Sequence, residues 1–119
     1  MPDRVPARNE WGDRYGYSRA VRAGEVIEVA GTTGPGDSAY EQARAALATI
    51  EAALVELGAA MSDVVRTRMF VVDIAKHADE VGRAHGEVFR DVRPATAMYG
   101  VTALLRPEML VEIEATARR

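Results

Sequence analysis

The sequence predicts an α+β fold in which a mixed β-sheet carries two helices on one face. Strand-like and helix-like segments follow one another in the order strand, strand, helix, strand, helix, strand, strand. The strand segments are rich in β-branched residues or alternate between apolar and polar residues, whereas the helical segments carry apolar stripes with a period near 3.6. A strand–helix–strand crossover joins parallel strands and a hairpin joins antiparallel ones, so a sheet containing both is mixed.

Composition indicates one ordinary globular domain and limits its partners. The 119 residues include 48% hydrophobic and 28% charged residues, and the formal net charge is −3, which disfavours a nucleic-acid partner. The absence of cysteine excludes disulfides and thiol nucleophiles. No apolar run has the length that a membrane span requires. We therefore expect a cytoplasmic protein that does not contact a membrane.

The first 14 residues are polar, contain two prolines and show no periodicity. They are expected to form an N-terminal arm (1–14) that leads into a single domain over residues 15–119. Trp11 is the one large apolar residue in this arm. A lone Trp in such a position more often anchors the arm to the domain or to a neighbouring subunit than it lines a pocket.

The first two strands are expected to form a β-hairpin. Residues 17–22 and 25–30 alternate in polarity, and Ala23-Gly24 supplies a two-residue connection. The glycine-rich loop at 31–37 follows this hairpin. It lacks both the Gly-Lys-Ser/Thr ending of a P-loop and the glycine spacing of a dinucleotide fold, so phosphate binding is not expected.

Both helices are predicted from an apolar stripe. The first begins at Ser38, where Ser38 and Glu41 form a capping box, and stops near Gly58. The second runs from about Lys76 to Arg90 and contains both histidines, whose spacing matches no zinc motif. Because the chain holds no other metal or cofactor motif, we expect neither a metal ion nor a cofactor.

The remaining strands place charged residues on one face of the sheet. Residues 64–73 form a long strand on which Arg66 and Arg68 share a face. Residues 93–114 are predicted to form a closing hairpin, whose last strand alternates so that Glu112 and Glu114 lie on one face. The two arginines could receive an anionic ligand, but residues in such positions are more often paired with acidic neighbours such as these glutamates, or left solvated.

Helices on one side of a sheet leave its other face uncovered by the chain itself. At least two of the predicted strands carry apolar side chains on both faces, and an exposed apolar face of that kind is usually buried by another subunit. The sequence therefore predicts association with further copies of the chain.

Several segments resemble the Rid family (YjgF/RidA, reactive intermediate deaminases). Pro94-Ala95 is followed by a strand, a Pro-containing turn and Val111-Glu112-Ile113-Glu114, which is similar to the C-terminal signature of that family. Asp63-Val64-Val65 and Tyr15-Gly16-Tyr17-Ser18 resemble two further segments. The resemblance covers nearly all of residues 15–117. It implies a chorismate-mutase-like fold and a homotrimer that binds a small-molecule ligand in an intersubunit cleft.

The resemblance also implies a ligand pocket around Tyr17, Gly31, Thr96 and Glu112, with His85 and Met98 as further lining. Glu112 takes the position of the family's catalytic carboxylate, near the reacting water. An equally weighted interpretation of Tyr17 is that of an aromatic residue that covers the start of the strand.

Four positions depart from the pattern of the active deaminases. Thr96 stands where those enzymes carry an Arg that holds the substrate carboxylate. Ala30 stands where a hydroxyl-bearing residue is common, and Gly82 and His85 replace an Asn and a Tyr. These departures affect the chemistry that the resemblance implies more than they affect the fold.

The function that follows from the resemblance is hydrolysis of an imine or enamine with non-standard substrate specificity. Deamination of the usual 2-imino acids is expected to be weak or absent, because a neutral threonine cannot replace a guanidinium group. The alternative is a non-catalytic ligand-binding or regulatory homotrimer. Ribonuclease activity has little support, because the chain is acidic.

Overall fold

Residues 3–119 form one six-stranded mixed sheet with helices on one face, as described by a computed structural model of the chain. In chain order the elements are β1 (Arg4–Pro6), α1 (Glu10–Tyr15), β2 (Ser18–Ala23), β3 (Val26–Thr32), α2 (Ala39–Glu56), β4 (Val64–Val72), α3 (Ile74–Phe89), β5 (Ala95–Val101) and β6 (Val111–Arg118). A single 3₁₀ turn, Met61–Asp63, precedes β4. This arrangement confirms the predicted α+β class.

The strand order across the sheet is β1-β2-β3-β6-β4-β5. Only β4 and β5 pair in parallel, as the crossover through α3 requires, and the other neighbouring pairs within residues 3–119 are antiparallel. The predicted closing hairpin was wrong, because β6 pairs with β3 and β4 and never with β5. A central position suits β6, since Val111, Ile113, Ala115 and Ala117 are all buried on its helix-facing side.

The two long helices cover the face of the sheet that β6 fills with apolar side chains. Helix α2 begins where predicted: the hydroxyl of Ser38 accepts a hydrogen bond from the backbone N–H of Glu41 at 3.1 Å. The helix ends at Glu56 with Leu57 as its C-cap, and Gly58 takes a positive φ of 82°. Helix α3 begins at Ile74, two residues before the predicted start, directly after Asp73. The core between helices and sheet includes Leu47, Ile50, Leu54, Val81, Phe89, Val71 and Ile113.

The N-terminal residues hold more regular structure than their sequence indicated. Strand β1 extends the sheet along β2 and buries Val5, and α1 follows it with Asn9 as its N-cap. A three-residue strand and a six-residue helix are too short to show a period, which is why both were missed. The guanidinium carbon of Arg106 lies 5.0 Å from the centre of the Trp11 ring, over its face. This contact anchors the N-terminal segment to the loop before β6.

The face of the sheet away from the helices stays open within one chain. It carries the polar positions of β6, namely Glu112, Glu114 and Thr116, together with the stacked rings of Phe70 and Tyr99, whose centres are 5.5 Å apart. Tyr99 is 45% exposed, which is unusual for a large apolar ring. No helix within residues 3–119 is long and apolar enough to cross a membrane.

Candidate functional site

Glu112 lies on the open face of the sheet because its neighbours in β6 point to the core. Val111 and Ile113 are fully buried beneath the helices, and the pleat of the strand directs Glu112 to the other side. The register between β3 and β6 shifts between Val29 and Thr32, which is a β-bulge beside Glu112. Bulges of this kind commonly re-aim side chains next to functional sites.

Gly31 lies in this bulge and leaves room for the carboxyl group of Glu112. A Cβ atom at position 31 would lie 2.5 Å from Oε2 and 2.8 Å from Cδ of Glu112, closer than real Cβ contacts allow. The glycine is therefore needed for close approach and not for an unusual φ angle. The sequence placed both residues in the pocket, and the structure brings them into contact.

Arg19 belongs to β2, and its buried side chain forms hydrogen bonds to the end of β3 that contains Gly31. Its Nη1 donates hydrogen bonds to the carbonyl oxygen of Gly31 at 2.7 Å and to Oγ1 of Thr32 at 2.8 Å. Its Nη2 donates to the hydroxyl of Tyr17 at 3.1 Å. Arg19 is only 7% exposed as a residue, and burial of its charge is tolerated because the guanidinium donates to these three acceptors. Arg19 therefore fixes the backbone on which Gly31 sits.

The hydroxyl of Tyr17 is held by Arg19 and by Asn9, the N-cap of α1. Asn9 Nδ2 donates to the Tyr17 hydroxyl at 2.9 Å, and the hydroxyl donates to Asn9 Oδ1 at 3.2 Å. Tyr17 and Glu114 are among the residues that line a concavity of about 650 Å³ on the open face. The pocket role expected for Tyr17 stays a prediction.

The carboxyl group of Glu112 has a raised pKa. Burial is the main cause, the nearby charge of Glu114 adds to it, and the positive charge of Arg19 opposes it. The register pairs Glu112 with Phe70 across to β4 and pairs Glu114 with Arg68. Consequently Arg68 forms its ion pair with Glu114, at 3.9 Å, and no ion pair within residues 3–119 involves Glu112.

His85 and Thr96 form a second cluster, on the helix-bearing side of the sheet. Oγ1 of Thr67 lies 2.8 Å from His85 Nε2 and 2.8 Å from Oγ1 of Thr96. Burial lowers the pKa of His85, whose ring also packs at 4.7 Å on Phe89. A neutral imidazole is therefore expected at neutral pH.

Met98 continues along β5 on the same face as Thr96 and packs at the edge of the core. Its Cε is 3.9 Å from the point where a Cβ on Gly82 would lie. Met98 therefore lines the space beside α3 that the missing side chain of Gly82 leaves.

The six residues expected in the pocket thus fall into two clusters. Tyr17, Gly31 and Glu112 meet around the β3 bulge, whereas His85, Thr96 and Met98 meet between α3 and β5. A single chain does not bring the two clusters around one ligand, because Glu112 points to the open face and Thr96 to the face that carries the helices. Within residues 3–119 no group of three or more His, Asp or Glu side chains has the geometry of a metal site.

Two side chains in these clusters were not among the expected pocket residues. Arg19 was not assigned to the pocket from the sequence, although it lies two residues after Tyr17 and so shares its strand face. The sequence could not single out Thr67 as a site residue, because threonine is common in strands rich in β-branched residues. Its full burial is the feature that makes its hydroxyl significant.

Comparison with known proteins gives consistent similarities over almost the whole chain. A family model described as "Endoribonuclease L-PSP" matches residues 8–119. An uncharacterised protein of Streptomyces coelicolor, SCO2049, is 38% identical over 124 residues that cover 98% of this chain and 91% of its own. The RutC family protein PYRAB12510 of Pyrococcus abyssi is 33% identical over 110 residues, which cover 85% of this chain and 84% of its own.

A solved structure gives the same result in three dimensions. The crystal structure of Rv2704 from Mycobacterium tuberculosis, described as a member of the highly conserved YjgF/YER057c/UK114 family, superimposes with a TM-score of 0.94. It is 50% identical to this chain, and the match covers 98% of both chains. The family model, the curated relatives and this structure agree, and the chain belongs to the YjgF/YER057c/UK114 (Rid) family.

Proposed function

We propose that this protein binds a small molecule in a cleft between two subunits of a homotrimer and hydrolyses an imine or enamine there. The observation that carries this proposal is the state of Glu112: burial raises the pKa of its carboxyl group, and Gly31 leaves it room at the open face. A carboxylate with a raised pKa is a stronger base, and it can accept a proton from water and then return it, which is what addition of water to an imine requires.

The reaction needs only a positioned water and one group that moves protons. Glu112 takes a proton from water as the oxygen forms a bond to the carbon of the C=N group. It then delivers that proton to the nitrogen, which gives a carbinolamine. Glu112 next takes the proton of the carbinolamine hydroxyl and passes it to the same nitrogen, so that the C=O bond forms as the C–N bond breaks and the products are a ketone and ammonia. An enamine enters the same sequence after its carbon is protonated. Holding water, substrate and carboxylate together provides most of the rate gain in such a reaction.

The intersubunit location is supported by the separation of the two clusters. Because Glu112 and Thr96 lie on opposite faces of the sheet, a ligand that touches both requires that a second subunit supply one of them. The open face, with Phe70 and the exposed ring of Tyr99, offers an apolar surface for that subunit. The trimeric state itself comes from the family resemblance.

A homotrimer is expected in solution, with a mass three times the 12.9 kDa of the chain. Tyr99→Lys should weaken it, because the change puts a cation on the apolar part of the open face. Val55→Lys is the matched control, since Val55 is also an exposed apolar residue but lies on α2. Sedimentation velocity of the three proteins at micromolar concentration measures the effect. A stable monomer in the unsubstituted protein would refute the trimer.

Weak hydrolysis of 2-aminoacrylate and its imino-acid tautomer is the expected result for the classical substrates. Thr96 offers no positive charge to the substrate carboxylate, and loss of a buried charge pair costs roughly 2–5 kcal/mol. The measurement generates the imine in place with an amino-acid oxidase and traps the remainder with semicarbazide. A neutral imine of similar size serves as the comparison substrate. A rate equal to that of relatives with Arg at this position would show that position 96 matters less than we infer.

The alternative is a protein that binds a ligand without turning it over. The threonine at position 96 favours this alternative. Its hydroxyl is within hydrogen-bonding distance of Thr67 and His85, and it supplies no charge for catalysis. Ligand-induced changes at the two clusters, with no release of ammonia from any imine tested, would support this alternative over hydrolysis.

The description of the family model names an endoribonuclease, an activity that we do not propose for this chain. The open face beside the candidate site carries Glu28, Glu112 and Glu114, and the net charge is −3. Carboxylates at that density repel a phosphate backbone, which is the main source of affinity in RNA binding.

A further inference from the structure

Thr96 belongs to a chain of hydrogen bonds that determines what its hydroxyl can offer a ligand. Its Oγ1 is 2.8 Å from Oγ1 of Thr67 and 3.1 Å from the carbonyl oxygen of Pro94. Thr67 is fully buried and lies 2.8 Å from Nε2 of His85, whereas Thr96 is exposed at the edge strand. The exposed hydroxyl therefore forms the outer end of a chain whose inner part is closed to solvent.

The hydroxyl of Thr96 has a single proton, and that proton has an acceptor within the protein whichever way the hydrogen bonds between His85, Thr67 and Thr96 run. If Nε2 of His85 carries no proton, Thr67 donates to it, and Thr96 must then donate to Thr67 to account for their short contact. If Nε2 carries a proton, it donates to Thr67, Thr67 donates to Thr96, and Thr96 donates to Pro94. Each hydroxyl has one donor and two acceptor sites, so in both cases Thr96 keeps a free lone pair and no free proton.

We propose that Thr96 acts as a hydrogen-bond acceptor toward the ligand, and that the ligand places an N–H group there, as in a carboxamide, in place of a carboxylate. This inference rests on the proposed function, since it concerns the same cleft. A carboxylate at this point would face a lone pair with no proton between them, which is repulsive, whereas an N–H group completes the chain. The substrate class is then an imine or enamine of a carboxamide.

His85, Arg90 and Arg93 are the groups near this cluster that could carry a positive charge. Burial lowers the pKa of His85, which keeps the imidazole neutral at pH 7 and removes one cation that an anion would need. Arg90 and Arg93 are exposed and line a groove of about 330 Å³ together with His85. Nε of Arg93 donates to the carbonyl oxygen of Arg90 at 3.0 Å. These two guanidinium groups are the residues that would attract an anion to the groove, so the test must separate them from Thr96.

Pyruvamide and pyruvate form a matched pair of probes, because they resemble the ketone product and differ in having an amide or a carboxylate. Their binding to the intact protein is measured by NMR titration at pH 7.5, following the backbone amides of Thr96, Thr67, Gly31 and Glu112. We expect pyruvamide to bind about fivefold more tightly, which corresponds to one net hydrogen bond. Thr96→Val should remove this preference, Thr96→Ser should retain it, and Arg93→Gln should leave it unchanged.

Tighter binding of pyruvate at these amides would overturn the inference and leave the proposed ligand site standing. If Arg93→Gln then abolished that binding, Arg93 would be the anion-binding group. An unchanged preference in Thr96→Val would also overturn the inference, because the acceptor would lie elsewhere. If neither probe perturbs either cluster at high millimolar concentration, the proposed site fails and the inference fails with it.

Discussion

Replacing Glu112 with Gln is expected to lower the rate of imine hydrolysis by about 10²–10⁴-fold, the usual contribution of a positioned acid–base group. The amide keeps the size of the side chain beside Gly31 but cannot accept a proton from water or return one to nitrogen. The measurement is the rate of ketone and ammonia release as a function of pH. In the unsubstituted protein the rate should fall on the acidic side of the pH–rate profile as Glu112 is protonated, and the raised pKa of Glu112 sets the position of this acidic limb. The variant should lack this limb.

Stability distinguishes a catalytic Glu112 from a structural one. Burial raises the pKa of Glu112 in the folded chain, so between its ordinary pKa and this higher value the folded state binds more protons than the unfolded state. The free energy of unfolding therefore falls as pH rises through this interval. Glu112→Gln removes that loss, so the variant should be at least as stable as the unsubstituted protein at neutral pH, with the difference disappearing below the ordinary pKa.

Glu114→Gln is the matched control for this experiment. Glu114 lies on the same strand and face, but it forms an exposed ion pair with Arg68 at 3.9 Å. Such pairs contribute little, so the variant should keep its maximal rate and change stability by no more than about 0.5 kcal/mol. Its acidic limb should move slightly to lower pH, because the charge of Glu114 helps to raise the pKa of Glu112. Glu112 would be assigned to structure if Glu112→Gln kept its rate, or if a fall in thermal stability explained its whole loss of activity.

The sequence predicted the elements whose periodicity is long and regular. The apolar stripe of α2 from Ala43 to Leu57 and the alternation of β6 after Leu110 correspond to elements with those faces buried. The same alternation placed Glu112 and Glu114 together on the other face. Period and face are local properties, so they can be read from neighbouring residues.

Strand pairing is a property of distant residues, and there the sequence was less informative. Two strand-like segments joined by a Pro-containing turn favoured a hairpin, but β6 gains more by filling the centre of the sheet between β3 and β4. The resulting register also decides the ion pairs. It puts Phe70 opposite Glu112 and Arg68 opposite Glu114, which no local pattern indicates.

The same limit applies to the candidate site. Thr67 and His85 are joined by a hydrogen bond across 18 positions of the sequence, through the packing of α3 on β4. Neither residue has a motif that connects it to the other. The family resemblance supplied the positions of Glu112, Gly31 and Thr96, but the hydrogen bonds that decide what each can do come from the fold.

Arg19→Met is expected to lower the free energy of unfolding by about 2–3 kcal/mol and to move the acidic limb of the pH–rate profile to higher pH. The stability loss follows because Gly31, Thr32 and Tyr17 lose a charged donor, and such hydrogen bonds contribute about 1.5–3 kcal/mol. The shift of the limb follows because the charge of Arg19 lowers the pKa of Glu112, which burial alone would raise further.

Two further variants separate these effects in urea unfolding at a fixed protein concentration and in pH–rate profiles. Arg68→Met removes an exposed arginine from the neighbouring strand and should leave both the stability and the limb nearly unchanged. Arg19→Lys keeps the positive charge but lacks the planar guanidinium fork that reaches all three acceptors. This variant should therefore lose part of the stability and keep the acidic limb of the pH–rate profile in place. If Arg19→Met costs no more than Arg68→Met, the buried guanidinium does not fix the β3 bulge. If the limb moves equally in Arg19→Lys and Arg19→Met, Arg19 acts on Glu112 through the position of Gly31 and not through its charge.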